Sequence, residues 1–105
     1  MAIIRKNVTT YQIAYMSGPN EGPIIDCFNG PTHVAKLCFH RNEPLPPNLL
    51  ASGDIIYLRY ILSQFNDIVE ILRNEKPLYV QLATPSLKGF IATSGFEPVG
   101  EDEGV

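Results

Sequence analysis

The chain is 105 residues long, which suits one domain around one core and leaves no room for a second. Its 45% hydrophobic content is that of a globular protein, and 9 prolines with 8 glycines ask for many turns. Four acidic residues behind the net charge of −3, Glu97, Glu101, Asp102 and Glu103, crowd one end, so the rest is close to neutral and carries no basic stripe for nucleic acid.

The opening "MAIIRKNV" lacks the apolar stretch and small-residue cleavage site of a secretory signal. No apolar run approaches the roughly 20 residues of a membrane span. A cytoplasmic protein is expected, with no membrane partner. A single domain is expected over residues 1–96, followed by an acidic tail over 97–105 whose first role is solvation.

"VTTYQIAYM" (8–16) alternates, with Tyr11, Ile13 and Tyr15 on one face, and predicts a strand. "SGPNEGP" (17–23) is built from turn residues. "IIDCF" (24–28) and "HVAKLCFH" (33–40) predict a hairpin around "NGPT". Pro31 has no amide for the ladder, which disfavours a tight Asn29-Gly30 turn and points to a loop over 29–32 that pairs Phe28 with His33. That register sets Ile24, Asp26, Phe28, Ala35, Leu37 and Phe39 on one core face, interrupted only by Asp26.

"RNEPLPPN" (41–48) predicts an extended surface connection, and "DIIYLRYIL" (54–62) a strand apolar on both faces apart from Arg59. Two apolar faces belong near the middle of a sheet. A helix follows, with Phe65, Ile68, Val69 and Leu72 at helical spacing as its buried stripe. Ser63 can cap its start, and Asp67 and Arg73 complement the two ends of its dipole. Asn74 suits a left-handed stop before Pro77. Every residue of "RNEKP" (73–77) thus has a structural role or can lie in solvent, and the helix C-terminus works against anion binding by that cluster. "PLYVQLA" and "KGFIATS" predict a second hairpin around "TPSL". The expected fold is α+β: a mostly antiparallel sheet or half-barrel of about six strands with one main helix, in the order ββββαββ.

The wording "ILRNEKPLYV" (71–80 with its approach from Ile68) and "FEPVGEDEG" (96–104) resembles a group of small bacterial proteins that share an "LLRNEKPVY" segment and an "EPVGE" ending. The resemblance covers mainly residues 68–80 and 96–103. It implies a small protein of the kind carried on mobile, integron-type gene cassettes. It implies no activity, and no catalytic residue follows from it.

Cys27, His33, Cys38 and His40 invite a metal reading, but the spacing C-x5-H-x4-C-x-H lacks the close ligand pairs of structural zinc sites. In the register above, Cys27 lies opposite Val34, so the two sulfurs are separated by roughly 13 Å, too far for a shared metal or a disulfide. No metal and no cofactor is expected, and the cysteines read as buried thiols. Asp26 is the notable carboxylate: buried, it needs a partner, and His33 or a tyrosine hydroxyl could serve for proton transfer or as a structural hydrogen bond. Of the five tyrosines, Tyr57 shares a face with Arg59 while Tyr60 takes the other. No Walker loop, G-x-S-x-G, H-E-x-x-H or dinucleotide fingerprint occurs.

The reading that follows is a non-enzymatic module that self-associates as a dimer and binds a protein or a small ligand. Two others compete with it. One is a small enzyme or metabolite-binding protein with a pocket between sheet and helix formed by Asp26, Tyr57 and Arg59. The other is an acidic partner or inhibitor protein acting through Glu97 to Glu103.

Overall fold

In a computed structural model the described residues are 1–18 and 22–93, so the acidic segment 97–105 lies outside them. They form an α+β fold of two sheets and one α-helix. The strands are β1 (Ala2–Val8), β2 (Thr10–Tyr15), β3 (Pro23–Asn29), β4 (Thr32–His40), β5 (Leu49–Ala51) and β6 (Ile55–Ile61). A 3-10 turn (Leu62–Gln64), the helix α1 (Phe65–Asn74), β7 (Leu78–Thr84) and β8 (Gly89–Thr93) complete the order. One sheet has three antiparallel strands, β1-β7-β8, and the other has five, β2-β3-β4-β6-β5.

The strand order departs from ββββαββ by two additions. β1 went unrecognised because its inward face, Ile4, Lys6 and Val8, carries a lysine that breaks the apolar alternation. β5 is only three residues long, too short for any periodicity. The six-strand half-barrel gives way to two distinct sheets, and one pair, β4 with β6, is parallel rather than hairpin-connected. The other predicted strands and both hairpins are present, and β6 does lie inside its sheet, between β4 and β5.

The hairpin of β3 and β4 pairs Phe28 with His33 as expected, but the ladder continues to Asn29 opposite Thr32, leaving Gly30 and Pro31 as the turn. Gly30 has φ +60, a left-handed conformation that glycine adopts without penalty. A bulge at Cys27/Phe28 then places Cys27 opposite Ala35 instead of Val34. One extra residue on β4 reverses every later assignment on β3. Pro23, Ile25 and Cys27 therefore face the core, while Ile24, Asp26 and Phe28 lie half-buried on the opposite face. The predicted core face of β3 is thus corrected, whereas that of β4, with Ala35, Leu37 and Phe39, stands.

The core lies between the two sheets: Ile25, Leu37, Ile56 and Leu58 from the larger, Val8, Leu78, Val80 and Leu82 from the smaller. α1 closes one side with its predicted stripe, Ile68 and Leu72 buried, Phe65 and Val69 packed against them. Phe65 meets Phe39 edge-on at 5.1 Å, and Phe39 stacks on Tyr60 at 5.5 Å. The helix starts without the expected Ser63 cap. The 3-10 turn leads in, and the Gln64 side-chain oxygen accepts the Ile61 N–H at 3.3 Å. Its end also differs from expectation. Asn74 stays helical with its amide donating to Glu70 Oε2 at 2.7 Å, and extended Glu75 (φ −112) donates its N–H to Ile71 O at 3.0 Å.

Two polar side chains tie the sheets together. Thr9, at the corner between β1 and β2, donates from its N–H (2.8 Å) and its hydroxyl (3.3 Å) to Phe28 O. The same hydroxyl accepts the Gly30 N–H at 2.8 Å. Asn48 accepts the Arg59 N–H at 2.8 Å and donates to Leu87 O at 3.0 Å, linking β6 to the turn between β7 and β8. Near it, β8 passes so close to β6 that a Cβ on Gly89 would stand 2.5 Å from Leu58 Cδ2 and 2.9 Å from Gln81 O.

Asn48→Ala strands a donor and an acceptor in a partly buried place, so a loss of about 1–3 kcal/mol is expected from urea denaturation. An unchanged midpoint would show that the bridge contributes nothing. Gly89→Ala has no space for its methyl and should lower stability by about 1–3 kcal/mol in the same assay.

Candidate functional site

Strand alternation sends every second residue of the five-stranded sheet away from the core. β3 contributes Ile24, Asp26 and Phe28 to this outer face, β4 Lys36, Cys38 and His40, and β6 Tyr57, Arg59 and Ile61. The pairings assemble them in rows. Gln12, Asp26, Lys36, Tyr57 and Leu49 lie side by side across the five strands. Ala14, Ile24, Cys38 and Arg59 form the next row. The three candidates Asp26, Tyr57 and Arg59 thus share one face. Lys36, which sequence reasoning passed over, stands between Asp26 and Tyr57. Its signal was available: Lys36 is the one Lys, Arg, Asp or Glu in "THVAKLCFH" and alternates in phase with Cys38 and His40.

Asp26 does meet His33, as the sequence suggested. Asp26 Oδ1 lies 3.0 Å from His33 Nε2, with both side chains a little over a quarter exposed. The approach is not aligned as a hydrogen bond, and both atoms are shielded from water. The His33 ring also leans on Phe28, centroid to centroid 5.1 Å. On the neighbouring strands, Lys36 Nζ and Arg59 Cζ each lie 5.5 Å from the centre of the Tyr57 ring. Arg59 Nε reaches Pro47 O at 3.4 Å.

Burial pushes the Cys38 thiol up, a trend that the neighbouring Arg59 and Lys36 charges only partly oppose. His40 is held below its usual 6.5, first by loss of solvent and then by the Arg59 charge. Its Nε2 is shielded from water and has no hydrogen-bond partner among the described residues. Cys27 lies on the core side, where burial and then Asp26 push its thiol up to about 12. The two cysteines are on opposite faces of the sheet and are both free. Among the described residues no three His, Cys, Asp or Glu side chains converge as metal ligands. No helix of the described residues is long and apolar enough to cross a membrane.

A cavity of about 240 Å³ does lie between sheet and helix. Its walls are Val8 to Tyr11 at the β1–β2 corner, Leu72 to Lys76 at the helix end, and Leu78. None of Asp26, Tyr57 or Arg59 lines it, because they occupy the opposite side of the sheet from α1. The "RNEK" corner therefore borders the cavity, while its Asn74 side chain and Glu75 amide are engaged within the helix terminus.

Comparison of the chain with protein-family models, with curated proteins and with solved structures returns no match.

Because His40 resists protonation when folded, the unfolded chain takes up its proton first as the pH falls. This group's contribution to stability should be complete above pH 6.5 and decline below it, through the lower folded value. Histidine NMR should find His40 titrating below 6.5, and His40→Gln should flatten that part of the stability profile. Both thiols should react slowly with a disulfide reagent in the native protein and rapidly after denaturation. A fast native reaction would contradict the burial of both.

Proposed function

We propose that this protein is a non-enzymatic binding module that self-associates as a dimer and offers the outer face of its larger sheet to a ligand. The observation that carries self-association is the edge strand β2. It borders the five-stranded sheet, and its sequence TYQIAY contains no charge and no proline. Ile13 is 40% exposed and Tyr15 62%, with Met16 exposed just beyond. Edge strands of this kind template pairing with another chain unless charge, proline or brevity blunts them. The opposite edge of the same sheet, β5, is blunted by its three-residue length, and β1 carries Arg5 and Lys6.

A second copy is the occupant that suits β2. Antiparallel pairing centred on Ile13 sets Ile13 against itself and Tyr11 against Tyr15 of the second copy, joining like faces without opposing charges. Aromatic cross-strand pairs are among the favourable ones. For the ligand half of the reading, the support is the grouping of Asp26, Lys36, Tyr57 and Arg59 on a face with both apolar and charged character. Tyrosine and arginine are enriched where proteins meet partners. In a cytoplasmic setting the two buried thiols stay reduced. The reading through the acidic tail concerns residues outside the described structure.

Light scattering should return twice the chain mass of 11.7 kDa at high concentration. Ile13→Lys, which sets two like charges against each other at the centre of the pair, should return 11.7 kDa with the fold retained. A monomer in the wild-type protein would overturn self-association.

A further inference from the structure

Two cations on the outer face have no carboxylate partner among the described residues. Among the described residues, Lys36 and Arg59 have no ion pair, although Asp26 stands directly opposite Lys36 in the ladder. Asp26 turns to His33 instead. Both cations lie beside the same aromatic ring, and His40, two residues beyond Cys38 on β4, shares their outward phase. The His40 Nε2 is shielded from water and unpaired among the described residues, which is costly for a polar atom unless something else completes it. Of the five guanidinium N–H donors, Nε–H is directed to Pro47 O and the Cys38 side chain engages another, so the rest of the fork keeps capacity for a ligand.

We propose that Lys36 and Arg59, flanking Tyr57, together with His40 beyond Cys38 on the same face, form a binding site for the carboxylate or phosphate group of a small molecule. An oxyanion meets three needs at once. It compensates two neighbouring positive charges, accepts from a forked donor, and gives the His40 Nε2 a partner. The apolar neighbours Tyr57 and Ile61 would cover the remainder of the ligand. The near-neutral body and the two cations do not supply the stripe that a nucleic-acid backbone requires. This inference rests on the ligand half of the proposed function and is independent of the dimer.

Because the molecule has only His33 and His40, their ring signals can be followed separately. Inorganic phosphate and succinate are titrated into the full chain at constant ionic strength, with chloride as control. The expected result is a saturable shift of His40 with phosphate or succinate but not chloride, whichever responds identifying the oxyanion class. Bound oxyanion should also raise the His40 pKa, and binding should tighten as the pH falls. Lys36→Gln and Arg59→Gln should each weaken binding by about tenfold, as for loss of one charge-assisted hydrogen bond. Lys36→Gln alters a half-exposed side chain and keeps the test valid if Arg59→Gln fails to fold. No saturable shift, or one equal in chloride or in both variants, overturns the oxyanion site. A thermal shift with uncharged or cationic metabolites, without any His40 response to oxyanions, would overturn it while leaving the binding module standing.

Discussion

Between Phe28 and Cys27 on β3, the partner strand β4 runs from His33 to Ala35 and so spends one residue more. Everything on the outer face depends on that count. β4 has its inward residues decided by Ala35, Leu37 and Phe39, which have nowhere else to go. Without the bulge, β3 would present Asp26 to this core and Cys27 to the outside. An isolated carboxylate there would have to lose its charge or find a buried partner, at a cost of several kcal/mol. With the bulge, Ile25 and Cys27 fill the core and Asp26 reaches His33 on the opposite face of the sheet. One irregular ladder position thus separates the apolar and polar chemistry of the whole hairpin.

The same principle of few but decisive polar contacts joins the two sheets. Side chains between them are apolar and impose little direction, so they set spacing more than orientation. Direction comes from Thr9, whose hydroxyl and amide fasten the bend between β1 and β2 to the tip of the β3–β4 hairpin. On the other side Asn48 bridges β6 and the turn at Leu87. The larger sheet is thereby held with its outer face turned away from helix and core alike, which is why Asp26, Tyr57 and Arg59 do not line the cavity beside α1.

Sequence legibility follows how strongly each element is periodic. The helical stripe of Phe65, Ile68, Val69 and Leu72 and the alternation in β3, β4 and β6 could be read directly, because burial of one face demands them. The sharing of a face by Tyr57 and Arg59 follows from the same rule. The side of β3 could not be read: a bulge leaves the alternation intact and shifts only its phase against the partner strand, and alternative phases look equally apolar. Strand β1 hid behind Lys6, whose long stem can lie along apolar surface while its charge reaches water. The Ser63 cap failed for a local reason, since the chain leaves β6 through a tight turn whose geometry favours Gln64. The signal of Lys36, one charge in phase with Cys38 and His40, gains its meaning only from Tyr57 beside it, which belongs to a strand some twenty residues on.

The smaller sheet has a consequence for the order in which the molecule can assemble. β1 finds its place only against β7, with Val8 opposite Leu78 and Ala2 opposite Thr84, nearly the full span of the described chain. The β3–β4 hairpin, by contrast, joins neighbours through a two-residue turn. Closing the long loop loses far more chain entropy before any contact compensates it. The β3–β4 hairpin can therefore form before β1 is placed, and β1 remains without its ladder partner until synthesis has delivered β7. Its Arg5 and Lys6, which look unhelpful in a strand, keep that waiting segment charged and discourage association with other nascent chains.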